Sequence, residues 1–452
     1  MTPMPSQDPS SRAPRTAHTF GIRCAARCLI AAVAVSFGSL SPQGTAFGAE
    51  KTETLRLTVI MTRHGVRSPT ESNEILDAYS AQPWPDWGVP KGYLTPHGYD
   101  LMVLMGAYYR DRYVANGLLT GDATEDGKHI FFHSDSVQRD IETSRALSQG
   151  LTGNDRPEIE SLSEGTDDPL FDPAKVFIKD ADPKLAAAAS RGRIGNNLPG
   201  LVEAYQGTLQ AMERVLWNGP TVPSGKKRLR HNPGKNESDH MANDESKHNP
   251  LPRGAKFAED FLLEYTNGMP EVGWGRVTRE DLNSFLDLRV IQSYLTHGPK
   301  YSAQVKSSNL ASHILRTLEQ GVAGRAVDGA IGTPGDRLVV IAGHDGNISS
   351  LGYLLGMAWL ADGRPHSPTM PGGALVFELW QSASGSYSVR TYYITQTLDQ
   401  MRNGDKLSLQ SPPVVAPIFI QGCGSAGTDF EAPFEDFRTH WKSAIDPKFV
   451  QP

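Results

Sequence analysis

From Thr54 to Thr62 the chain reads Thr-Leu-Arg-Leu-Thr-Val-Ile-Met-Thr, mostly apolar or β-branched, and stops at Arg63-His64-Gly65. That pattern predicts a buried strand feeding a tight turn. Leu101, Leu104, Met105 and Tyr108 then fall at i, i+3, i+4 and i+7, which predicts a helix over 95–116. Thr95 suits its cap, Pro96 its first turn and Gly117 its end. A second strand is predicted over Lys128–His133 and a helix over Val137–Gly150. Residues 184–217 carry an alanine run and a helical pattern, and 255–267 reads as another helix. Between them, 219–254 is crowded with proline, glycine, lysine, asparagine and histidine, the make-up of a polar surface loop. The strand pattern returns at Leu338–Ala342, followed by Gly343-His344-Asp345-Gly346 and a helix predicted over Ile348–Met357. Two further strands, 374–381 and 387–396, read as antiparallel.

Strands at both ends of the chain with helices gathered between them predict an α/β fold. We expect a mixed central sheet flanked by helices, with a mostly helical smaller domain inserted. The expected division is 50–182 and 286–452 for the α/β part and 183–285 for the insertion. In open α/β sheets the site lies beyond the carboxyl ends of strands, where Arg63-His64-Gly65 and His344-Asp345 both fall.

The first 49 residues add a different signal. Arg12, Arg15, Arg23 and Arg27 precede the apolar run Leu29–Leu40, and small residues lead up to Glu50. This is the order of a secretory signal peptide, and the run is shorter than the roughly 20 residues a spanning helix needs. No stable membrane anchor is expected, and the mature chain is expected to be periplasmic or secreted. Removing 1–49 takes away a net three positive charges, moving the chain from −6 to −9. Neither value gives the basic footprint of a nucleic-acid binder. Cys24 and Cys28 leave with the signal, so Cys423 remains without an intramolecular partner and the core must hold by packing.

The candidate chemistry sits in Arg63-His64-Gly65-Val66-Arg67-Ser68-Pro69-Thr70. Two guanidinium groups beside an imidazole keep it neutral by like-charge repulsion, and the same forks suit a phosphate. They repel a metal ion, so no metal or cofactor is expected. His231, His240 and His248 are too evenly and widely spaced for a compact ligand set. Read alone, the Arg-His-Gly triplet also fits a structural histidine in a basic turn.

The longer string resembles the signature of the histidine acid phosphatases, the two-domain branch of the histidine phosphatase superfamily. Gly343-His344-Asp345-Gly346-Asn347 resembles that family's second signature. Gly92–Gly98, Asp168–Phe171, Gly268–Arg276 and Pro371–Trp380 extend the likeness, most of all to bacterial phytases, acid phosphatases and glucose-1-phosphatase. The resemblance implies a phosphomonoester hydrolase acting on a small-molecule substrate. It implies His64 as nucleophile, passing through a phosphohistidine, with Arg63, Arg67 and Arg139 gripping the phosphate. It further implies His344 as a donor to the phosphoryl oxygens and Asp345 as proton donor to the leaving alcohol.

Three positions set the substrate apart. Thr70 closes the first motif, Glu71 stands where phytase-like members often have lysine, and Gly346 replaces a hydroxyl residue after His-Asp. An acid at 71 facing the pocket would repel a polyanion. The expectation is therefore a phosphatase broader than a dedicated phytase. The other reading is a non-catalytic phosphoester-binding protein, which would tolerate loss of His64 or Asp345; both are present.

Overall fold

The structure, a computed structural model, describes residues 53–229, 249–364 and 366–451. Residues 1–49, expected to be a signal peptide, and the three histidines 231, 240 and 248 lie outside the described residues. Strand β1 (Glu53–Arg63) runs through the middle of a seven-stranded sheet. Its partners are β2 (Ile130–Ser134), β3 (Leu338–Gly343), β4 (Ala374–Ser382), β5 (Tyr387–Thr395), β6 (Val414–Pro417) and β7 (Ala432–Pro433). The order is β2-β3-β1-β4-β5-β6, with β7 on β5. β2, β3 and β1 are parallel, while β4, β5 and β6 continue antiparallel, so the sheet is mixed.

Side chains alternate across this sheet as the pleat demands. Val59, Met61, Val339 and Ile341 face one core, and Ile60, Val340 and Val376 face the other. Helices α1 (Pro96–Asn116) and α2 (Gln138–Thr152) cover the second face. α1 begins and ends as its sequence predicts. Thr95 accepts a hydrogen bond from the Gly98 amide, and Gly117 closes the helix at φ 80°.

The helical run expected over 184–217 is broken into α3 (Pro183–Gly192), α4 (Leu198–Ala204) and α5 (Gln206–Trp217). The first break falls where Gly195 and Asn196 both take positive φ. Helix α6 (Leu251–Thr266) starts inside the segment expected to be loop, so 251–254 are helical. Two long helices follow that the sequence pattern did not single out: α7 (Arg279–Thr296) and α8 (Lys300–Ala323). α7 carries a legible start, a capping box between Thr278 and Asp281, and it runs through position 285/286. α8 hides its period because Ser302, Ser307, Ser308, Asn309, Ser312 and Thr317 sit on its buried face. Distant partners satisfy several of these groups, such as Ser350 Oγ for Ser307 and the Pro169 carbonyl for Asn309. α5, α6 and α7 share a core of their own built on Leu209, Met212, Phe257, Phe261, Phe285 and Leu288.

Helix α9 (Asp345–Leu354) starts three residues earlier than predicted, because His344 occupies the cap and shares a capping box with Asn347. Helix α10 (Phe434–Ala444) packs with α8 on the first face of the sheet. Cys423 is a free thiol, and burial pushes its pKa up to about 11, which suits a packing role. No helix among the described residues is long and apolar enough to cross a membrane.

Candidate active site

Register brings the two histidine motifs together. Arg63 pairs with Gly343 across the parallel β1–β3 ladder, so His64 and His344 leave adjacent strands at the same level. The His64 amide continues the ladder to the Gly343 carbonyl at 2.9 Å, and the Asp135 amide leaves β2 bonded to Ala342 at 3.0 Å. All three side chains therefore emerge at the carboxyl ends of parallel strands. The His64 and His344 rings lie 5.7 Å apart, edge to face.

The turn after β1 depends on glycine. A Cβ at Gly65 would stand 2.8 Å from Met102 Cγ and 3.0 Å from the Gly98 carbonyl. One at Gly98 would lie 2.1 Å from the Val66 carbonyl. The loop carrying His64 is thus pressed onto the first turn of α1. His64 itself is buried. Its Nδ1 lies 2.9 Å from the Gly65 carbonyl oxygen, which can only accept, so Nδ1 carries the proton and Nε2 the lone pair. Burial, then Arg139, Arg63, Arg67 and His344, hold its pKa well below the usual histidine value.

Three arginines surround it. Arg63 is fully buried, donating to the Thr369 carbonyl at 2.7 Å and pairing with Glu259. Arg67 donates to the Ser68 carbonyl at 2.9 Å and lies 3.4 Å from Glu259. Arg139, in the first turn of α2, places Nη2 3.5 Å from His344 Nδ1. The Nε–H of each of the three is buried and makes no hydrogen bond.

His344 stands between two acids. Its Nε2 donates to Asp135 at 2.6 Å, and its Nδ1 lies 3.6 Å from Asp140, a fully buried residue of α2. Burial alone would lower the pKa of His344, but Asp140 and the Asp135 hydrogen bond outweigh it and raise it. Asp140 is pushed up to about 7, chiefly by burial. Asp135, Asp140 and His344 also bring ligand atoms within 4.8 Å of one another, a cluster invisible in the linear spacing. Arg139 Nε sits 3.8 Å from Asp140 and opposes a cation there.

Asp345 opens α9, and the Gly346 amide bonds its Oδ1 at 3.0 Å. Its Oδ2 is paired with Arg289 of α7 at 2.7 Å, and the other arm of Arg289 pairs with Glu259 of α6. Burial raises the Asp345 pKa, yet Arg63, Arg289, His297 and Arg67 together hold it well below the usual carboxylate range. Gly346 leaves room for His297, whose Cε1 would be 3.3 Å from any Cβ there.

A cavity of about 260 Å³ opens over these groups, and Thr70 and Glu71 line it with Arg67, Lys256, Arg289 and Asp345. Glu71 does not face it as a lone charge. Arg253 pairs with it at 2.5 Å and Lys256 at 3.3 Å, so the repulsion expected from the sequence is already cancelled.

A family model described as "Histidine phosphatase superfamily (branch 2)" matches residues 54–394. Phytase AppA of Escherichia coli K12 is 31% identical over 394 residues, covering 85% of this chain and 90% of the relative. A glucose-1-phosphatase of Providencia rettgeri is 26% identical, covering 93% and 98%. The structure of Hafnia alvei phytase in complex with tartrate superposes with a TM-score of 0.79 at 31% identity, over 89% of this chain and all of that one. The chain belongs to branch 2 of the histidine phosphatase superfamily.

It is accordingly a hydrolase acting on phosphomonoesters. The residues singled out in its sequence, Arg63, His64, Arg67, Arg139, His344 and Asp345, gather in this phosphatase at one end of the sheet. Neighbours outside the sequence motifs include Asp135, Asp140, Glu259 and Arg289. Asp140 directly follows Arg139, and a charged residue in the buried first turn of a helix was its available signal. Glu259 and Arg289 lie on helices far along the chain, and no local pattern marks them.

Proposed function

We propose that the phosphatase works through a phosphohistidine on His64. The observation that carries this reading is the neutral His64, its Nδ1–H tied to the Gly65 carbonyl, set among Arg63, Arg67 and Arg139. Nε2 attacks phosphorus, and the guanidinium groups of Arg63, Arg67 and Arg139 supply the positive charge for the equatorial oxygens, where charge develops. His344, its pKa raised beside Asp135 and Asp140, donates a further hydrogen bond.

The P–O bond to the leaving alcohol breaks as Asp345 protonates that oxygen. The arginine field keeps Asp345 ionised in the free enzyme. A phosphate in the cradle cancels part of that field, and at acid pH the monoester brings a proton of its own, its second pKa being about 6. Asp345 takes up this proton as the dianion settles. Water then attacks the phosphohistidine, with Asp345 as base, giving inorganic phosphate.

For the substrate we propose a broad range of monoesters rather than one polyanion. Arg67, Lys256 and Arg289 line the mouth with Glu71, Glu259, Asp260 and Asp345. Burial raises the pKa of Asp260 well above the usual carboxylate value, which leaves a near balance of charge. Relatives that are phytases and glucose-1-phosphatases span the same breadth. The test is rapid quenching with labelled monoester. An acid-labile, base-stable phosphohistidine absent from His64→Ala, formed undiminished after chelator treatment, is expected. Full activity of His64→Ala, or its complete loss with chelator, overturns the mechanism.

A further inference from the structure

Arg289 belongs to neither signature, yet its guanidinium spans the site. One arm pairs with Glu259 on α6 and the other donates to Asp345 at 2.7 Å on α9. Glu259 is in turn the partner of Arg63 and Arg67, so Arg289 ties the proton donor to the phosphate cradle through one carboxylate. It also stands where two spaces meet. The mouth of about 260 Å³ and a second cavity of about 470 Å³, walled by α7 with Gly363, Arg364 and residues 366–370, are both lined by Arg289, Gln292 and Asp345. Arg289 therefore borders Asp345 in both spaces.

Five charged or titratable groups surround the Asp345 carboxyl. Arg63 and Arg67 come from the turn after β1, Arg289 and His297 from α7 and its end, and Glu259 from α6. Arg63 and Arg67 also face the phosphate site, so an anion bound there competes for them. Arg289 faces Asp345 from the leaving-group side.

We propose that Arg289 is a positioning residue for Asp345: it clamps the carboxyl toward the leaving oxygen and sets how readily that carboxyl carries a proton to it. The proposal rests on Asp345 being the proton donor. In the step itself an O–H bond forms at the ester oxygen, the P–O bond breaks, and the carboxylate left behind returns to its ion pair with Arg289. Arg289 thereby restrains protonation of Asp345 and puts an upper limit on the pH at which poor leaving groups depart. Aryl phosphates, whose leaving groups need little protonation, escape that limit.

The experiment is the kcat–pH profile with an alkyl and an aryl phosphate for wild type, Arg289→Gln, Arg289→Lys, Asp345→Asn and the Asp345→Asn/Arg289→Gln pair. Arg289→Gln is expected to move the basic limb for the alkyl ester upward by about one to two pH units, the size of a close ion pair's effect. Arg289→Lys restores the limb, and in the Asp345→Asn background the Gln substitution no longer moves the profile. Arg289→Met, which keeps the aliphatic stem packed, replaces Gln if that variant does not fold. An unmoved limb in a folded neutral variant, or the same displacement without Asp345, overturns the proposal. If Asp345→Asn leaves the alkyl-to-aryl ratio unchanged, the donor reading fails instead.

Discussion

Glu71 shows how one residue changes meaning between sequence and structure. As a letter it is an acid where similar enzymes often carry lysine. In the fold it is the partner of Arg253, whose side chain is only 7% exposed, and of Lys256. Replacing it with lysine would leave Arg253 buried beside a like charge, which is costly. Glu71→Gln is the cleaner probe, because it keeps the shape and removes the charge. Kinetics at low salt are expected to show KM for inositol hexakisphosphate falling by about fivefold, the worth of roughly 1 kcal/mol. Small monoesters should barely respond, and high salt should erase the difference. An unchanged ratio of the two KM values at low salt would remove Glu71 from the specificity argument.

At the scale of elements, the first turn of α2 delivers two opposed groups, Arg139 to the phosphate site and Asp140 beneath it. Both carboxylate oxygens of Asp140 are buried without a hydrogen-bond partner, and burial raises its pKa from 3.8 to about 7. A carboxyl with a raised folded value holds its proton more tightly folded than unfolded. Stability is therefore unaffected below about pH 4, falls as pH climbs toward about 7, and bears the full penalty above that. Asp140→Asn is expected to gain in Tm over wild type across this window, with the two most alike near pH 4. Thermal melts at about pH 4 and pH 8 check it, and a Tm difference that fails to widen would contradict the linkage. The neighbouring elements were unevenly legible. α1 carried its cap, its proline and its terminal glycine in order, and β1 and β3 declared themselves by apolar runs. α8 did not, since its buried serines and asparagine read as surface until their distant partners are known.

For the whole molecule, the charged, apolar and small-residue order of residues 1–49 predicts export. We expect the exported protein to begin at Glu50, with a net charge of −9 and Cys423 as its sole thiol. N-terminal sequencing of protein recovered outside the cytoplasm, with thiol titration under denaturing conditions, checks both. An intact Met1, or more than one thiol per chain, would refute the signal reading. Among the described residues the one cysteine is a free thiol, and the fold relies on its cores: two on the faces of the sheet, one among α5, α6 and α7, and a small one around Ile178, Val305 and Phe449.

The sequence by itself determined the strands that end at His64 and His344, the arginines near the first, and the family, because those signals are local. A strand needs only its own apolar run, and a signature needs only adjacent letters. The contact between the two signatures followed from parallel register between β1 and β3, which pairs residues 280 positions apart. Tertiary structure alone decided that Asp345 faces Arg289, that Glu259 links three arginines, that Asp140 lies beneath His344, and that Glu71 is already answered by cations. Each is an electrostatic relation between side chains on different elements. Its sign and strength depend on distance and burial, and neither is written in the order of residues.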